Sequence, residues 1–165
     1  MKDYRTVHTA GTAEIVESKS RFMAVAGSVN SERDCAEFLE SVRKRNYSAS
    51  HNTYAYRLIG GTADVQRYSD GGEPSGTAGM PILNVLAGEK LFNAMIVVTR
   101  YFGGVLLGTG GLVRVYTAAA KAAVADAVII EKKHFVMYDI KIPYTLHGKM
   151  KHVLETKGFI INGTQ

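Results

Sequence analysis

Two glycine-rich stretches hold the residues whose types and spacing suit chemistry. The first runs Phe102-Gly103-Gly104-Val105-Leu106-Leu107-Gly108-Thr109-Gly110-Gly111 and leads into an alanine-rich helical segment. Glycines let backbone N–H groups approach an anion, and a helix N-terminus adds partial positive charge. Arg100 and Tyr101 stand just before this stretch, and Arg114 and Tyr116 just after it. A guanidinium beside an aromatic ring suits phosphate contact and stacking. The candidate anion or nucleic-acid site is therefore Arg100, Tyr101, Gly103, Gly104, Gly108, Thr109, Gly110, Gly111 and Arg114. It is not a P-loop, since no Gly-Lys-Ser/Thr follows, and the dinucleotide spacing fails at Val113. Other uses of the same residues stay open. The glycines can serve tight turns and close packing, and Arg100 can pair with a carboxylate such as Asp70 or Glu73 to hold two loops together.

The second stretch, Ser69 to Gly79, places Asp70, Glu73, Ser75 and Thr77 in a loop, with His51 at a strand start before it. A Ser75–His51–Asp70 arrangement can be drawn, but nothing in the spacing resembles a nucleophile elbow. Hydroxyls and acids in such loops ordinarily serve turns and caps. These five residues are read as a neighbouring loop, and no catalytic residue is assigned. The single cysteine, Cys35, falls on a buried helical stripe. The five histidines are scattered and form no metal-binding pattern. No cofactor or metal is expected, and an enzyme is the weaker reading.

The elements that must position these loops follow from periodicity. Thr12–Val16 and Phe22–Val29 read as strands. Ser31 caps a helix with Asp34 three residues on, and Cys35, Phe38, Leu39 and Val42 form its apolar stripe. Arg43-Lys44-Arg45 closes it, favourable at a helix C-terminus. His51–Ile59 and Val65–Ser69 are strands about a Gly60-Gly61 turn. A helix over about 80–87, a buried strand over 91–101 and a helix over 112–127 follow. The tail reads as strand 135–142, helix 146–157 and strand 159–161, one β-α-β unit with an open edge. Two domains are expected, 1–132 and 133–165.

Composition bounds the function. Of 165 residues, 46% are hydrophobic and 21% charged, which excludes a disordered chain. The apolar runs are far shorter than the ~20 residues of a membrane helix. No signal peptide is read, and a cytoplasmic location without membrane contact is expected. The net charge of +5 forms no dense stripe for duplex DNA. The surplus sits mostly in the tail, with six bases against three acids over 131–165.

Four segments carry a likeness to a known family: Glu17-Ser18-Lys19-Ser20-Arg21-Phe22, Ser50-His51-Asn52-Thr53-Tyr54-Ala55-Tyr56, Tyr68 to Gly79, and Val97 to Leu112. In this order they resemble the IMPACT/YigZ family over roughly residues 10–130. Thr53 stands where members usually have Cys, and Gly71 where Asp is common. The resemblance implies an α+β fold, a two-layer β-α sandwich like domain four of elongation factor G and a related ribosomal protein domain. It implies that residues 133–165 are the first half of a ferredoxin-like domain, with the sequence stopping partway through it. It also implies a link to translation, with RNA or the ribosome as the expected partner. A phosphorylated small molecule at the Gly-rich loop, as ligand or substrate, is the alternative. A protein-interaction domain is a third reading, and homodimerisation through the open edge of the tail is a further expectation.

Overall fold

The computed structural model describes residues 3–61 and 63–163. It divides into two compact units, Met1–His134 and Phe135–Gln165. The first unit is built on a five-stranded antiparallel sheet of order β2-β3-β6-β4-β5. Its strands are β2 (Gly11–Glu17), β3 (Ser20–Ser28), β4 (His51–Leu58), β5 (Val65–Ser69) and β6 (Ala94–Tyr101). Strand β6 lies at the centre and is buried over Ala94–Arg100, which accounts for its uninterrupted apolar run.

Helices cover both sheet faces. On one face α2 (Gly79–Gly88) and α3 (Gly108–Asp126) pack on Phe22, Ala24, Ala55, Ile96 and Val98. On the other, α1 (Glu32–Arg45) sets Cys35, Leu39 and Val42 against Tyr56, Leu58, Met95 and Val97. The α+β class stands, but the expected two layers become three. Successive β6 side chains point to opposite faces, so Met95 and Val97 need a cover of their own, and the apolar stripe of α1 supplies it. The cap of α1 is as read from sequence: Ser31 Oγ accepts from the Asp34 N–H.

Three elements depart from expectation. Strands β1 (Tyr4–Thr9) and β7 (Val128–Lys132) form a separate antiparallel ribbon that local pattern did not reveal. Helix α3 begins at Gly108 rather than Leu112, so the second half of the Gly-rich stretch is helical. Finally, residues 135–163 contain no strand among the described residues, only a 3-10 turn at Tyr144–Leu146 and helix α4 (His147–Thr156). The segments 135–142 and 159–161 alternate in sequence, but two parallel strands and one helix fall short of the three-strand sheet that is stable by itself.

Candidate functional site

At one end of the five-stranded sheet β2, β5 and β6 finish and β3 and β4 begin. Register places both Phe22 and His51 opposite Arg100. The connections at this end therefore bring most of the singled-out residues together.

Arg100 is only 4% exposed. Its Nη1 donates to Glu73 Oε1 and Oε2 at 2.8 and 3.1 Å, and its Nη2 to Ser20 Oγ at 3.3 Å. The guanidinium carbon lies 5.3 Å from the ring centres of both Phe22 and Phe102. Tyr116, fully buried, donates its hydroxyl to Glu73 Oε1 at 2.7 Å. Burial, then the neighbouring carboxylate, push the Tyr116 hydroxyl far above its ordinary pKa. The pairing left open from sequence is thus the one present, with Glu73 as partner. Arg100 is a buried tie between loops rather than a surface phosphate contact, and Tyr116 is a core residue rather than a stacking ring.

Asp70 has a structural task. Its carboxylate accepts from the N–H groups of Gly76, Ala78 and Gly79 at 2.9, 3.0 and 2.8 Å. It thereby caps α2, whose own N-cap residue, Ala78, offers no side chain for the purpose. Burial alone would raise the Asp70 carboxyl, but the N–H groups of Gly76, Gly79 and Ala78 outweigh it and hold the group below the ordinary carboxylate value. Asp70→Ala should therefore lower stability by about 1–2 kcal/mol at neutral pH. The folded pKa lies below the unfolded value of about 3.9. The contribution is thus complete above that value and is lost as pH falls through the folded one. Urea denaturation of the two proteins should differ at neutral pH and converge in acid. A gap that persists in strong acid would contradict this.

The triad drawn from sequence does not assemble. His51 Nδ1 lies 3.0 Å from the Gly71 carbonyl, which only accepts, so that contact requires the proton on Nδ1. His51 Nε2 is 4.0 Å from Glu73 Oε1. Ser75 is exposed, and Thr77 donates to the Pro74 carbonyl at 2.6 Å. Cys35 is buried, its thiol pushed up to about 11 by burial and then by Asp34 and Glu32. Among the described residues no group of three or more His, Cys, Asp or Glu is placed to hold a metal.

Part of the Gly-rich segment remains at the surface, while Gly111, counted in the candidate site from sequence, is buried on α3. Gly104, Gly108, Thr109 and Gly110 are exposed. Helix α3 starts with no side-chain cap, so its first-turn N–H groups lack an intrahelical partner. Gly103 is required by close approach: a Cβ there would lie 2.0 Å from the backbone of Lys19. That contact fastens the loop to the β2–β3 turn, in which Ser18 and Lys19 both have positive φ (46° and 64°). Such a pair forms the two-residue turn that matches strand twist. Between this turn and α3 runs a groove of about 430 Å³ lined by Ile15, Glu17, Ser18, Leu106, Leu107 and Arg114.

Sequence reasoning missed part of this surface. The turn after α1 is tied to the end of β6. Tyr101 donates its hydroxyl to Asn46 Oδ1 at 2.9 Å, and the Phe102 N–H donates to Ser50 Oγ at 3.2 Å. This brings Lys44, Arg45 and Tyr47 to the same end as Lys19, Phe102 and Arg114. Tyr47 is 89% exposed. Among the described residues Lys19, Lys44, Arg45 and Arg114 make no ion pair. The signal lies in Lys44-Arg45-Asn46-Tyr47, a basic run ending in an aromatic, whose charges equally suit a helix C-terminus.

Comparison with known proteins follows the same stretch of chain. Residues 18–124 match the Impact N-terminal domain. The chain is 38% identical to IMPACT family member YvyE of Bacillus subtilis, over 98% of this chain and 74% of that one. It is 36% identical to IMPACT family member YigZ of Escherichia coli, over 93% of this chain and 77% of that one. A crystal structure described as that of a hypothetical protein superposes with a TM-score of 0.76 at 31% identity, covering 100% of this chain and 81% of its own.

Proposed function

Because the chain belongs to the IMPACT family, we propose that it is a translation-linked binding module that holds RNA, ribosomal RNA included, at the β6 end of its sheet. The translation link comes from the family resemblance, and the likeness to domain four of elongation factor G belongs to the same proposal. The observation that carries the RNA reading is the presence at this end of the sheet of four exposed cations, Lys19, Lys44, Arg45 and Arg114, that make no ion pair among the described residues, together with the exposed rings of Tyr47 and Phe102. Unpaired cations on a surface are available to phosphates. The uncapped start of α3 adds backbone donors of the same sign.

Binding of a structured RNA should weaken steeply with salt. In a variant carrying Lys19→Asn, Lys44→Gln, Arg45→Gln and Arg114→Gln, affinity should fall, and the salt slope should flatten by about one per lost contact. These side chains are exposed, so unfolding should shift little. Unchanged affinity in the folded variant would remove this surface as the RNA site.

A second reading has its own observation. The groove beside Arg114 and the α3 start falls within the roughly 300–1,000 Å³ of small-molecule sites. A phosphorylated small molecule there should give a saturable thermal shift. Substituting Gly108, whose φ is +69°, by Val should abolish it. Screening nucleotides and sugar phosphates with no shift would set this reading aside.

A further inference from the structure

Resting on the RNA reading above, we infer that the RNA held at this end is single-stranded, its unpaired bases stacking on Tyr47 and Phe102. Phosphate contact alone requires only cations. Here two aromatic rings stand in water as well, Tyr47 at 89% and Phe102 at 47% exposure. Their backbones are held in place before any ligand arrives. Asn46 accepts from Tyr101 Oη and donates through Nδ2 to the Val42 carbonyl at 2.9 Å. Ser50 donates its N–H to the Arg100 carbonyl at 2.9 Å and accepts from the Phe102 N–H. The turn bearing Tyr47 and the strand end bearing Phe102 therefore form one fastened edge.

Cationic residues neighbour both rings along the chain or through the backbone: Lys44 and Arg45 precede Tyr47 in sequence, and the backbone of Lys19 lies against Gly103, the residue after Phe102. A nucleotide can place its base on a ring while the adjoining phosphate meets an ammonium or guanidinium. That combination of groove charge and stacking rings is what sequence-tolerant single-strand binding uses. A duplex keeps its base faces inside the helix and offers phosphates and 2′-hydroxyls. Against a duplex the cations would serve and the two rings would contribute little.

The test uses the full chain with a short fluorescein-labelled oligoadenylate and a hairpin duplex of similar charge, in anisotropy titrations at low salt. The oligoadenylate should bind more tightly. Tyr47→Ala and Phe102→Ala should each weaken it by roughly ten-fold, with duplex binding nearly unchanged. A second readout does not depend on affinity. The chain has no tryptophan, so Phe102→Trp introduces a single one, whose fluorescence should be quenched by oligoadenylate and left alone by the duplex. Equal affinity for both RNAs, unaffected by either alanine variant and without quenching, would overturn the single-strand inference. The RNA reading would still stand if the cation variant weakened both ligands. Failure of both RNAs to bind would overturn the two together, and binding of a protein partner at these rings would then take their place.

Discussion

Replacing Arg100 by Ala should destabilise the chain by about 3–5 kcal/mol, because it leaves the Glu73 carboxylate buried without its counter-charge. The side chains of the pair are 5% and 3% exposed, so water cannot substitute for the lost partner. The sequence leaves Arg100 open between a phosphate contact and a carboxylate pair; in the structure it is paired with Glu73, and its loss unfastens the 69–79 loop from β6. A buried pair is nevertheless weak evidence of net stabilisation, since apolar residues of similar volume can replace both partners at little cost. Among the described residues Arg100 Nε also lacks a hydrogen-bond partner. The double variant Arg100→Met with Glu73→Leu should therefore be less destabilised than the sum of its two single variants. Urea denaturation of the four proteins measures the coupling. A change below about 1 kcal/mol for Arg100→Ala, the range of an exposed pair, would mean that the guanidinium is not committed to Glu73.

Tyr116→Ala should have an effect of similar size, about 3–5 kcal/mol for removal of a fully buried aromatic side chain. Tyr116 meets Phe22 edge-on with ring centres 5.2 Å apart, so its loss opens a cavity beside the Arg100–Glu73 pair. Tyr116→Phe separates packing from hydrogen bonding. It keeps the ring and removes one bond to a charged acceptor, for an expected cost of about 1.5–3 kcal/mol. If the two variants were equally destabilised, the hydroxyl would carry the whole contribution and the cavity argument would fail. Both measurements require only equilibrium unfolding.

These two residues also show where sequence reading reached its limit. Helix α1 was legible because its cap, stripe and closing charges are local, and β6 because a central strand is apolar throughout. The start of α3 was not, since Gly108-Thr109-Gly110-Gly111 has the composition of a loop. Burial of Leu112 in the core beneath α3 overrides that low helix propensity. The β1–β7 ribbon joins residues more than a hundred positions apart, which no local pattern encodes. In the tail the sequence alternates as a strand does, yet alternation makes a strand only where a neighbour is present to pair with it. Within the site, residue types were legible but exposure was not. Arg100 and Tyr116 carry the same letters as a surface binding pair and lie in the core. Tyr47, passed over at the end of a charged helix, stands in water.

Hydrogen exchange of the full chain, with and without saturating single-stranded RNA, tests the central claim most directly. Binding at the β6 end should slow exchange at the amides of residues 18–20, 44–50 and 102–110, which carry the unpaired cations, the two exposed rings and the uncapped start of α3. Saturation with no added protection in those three segments, or with protection confined to residues 135–163, would place the RNA elsewhere and contradict the proposed site.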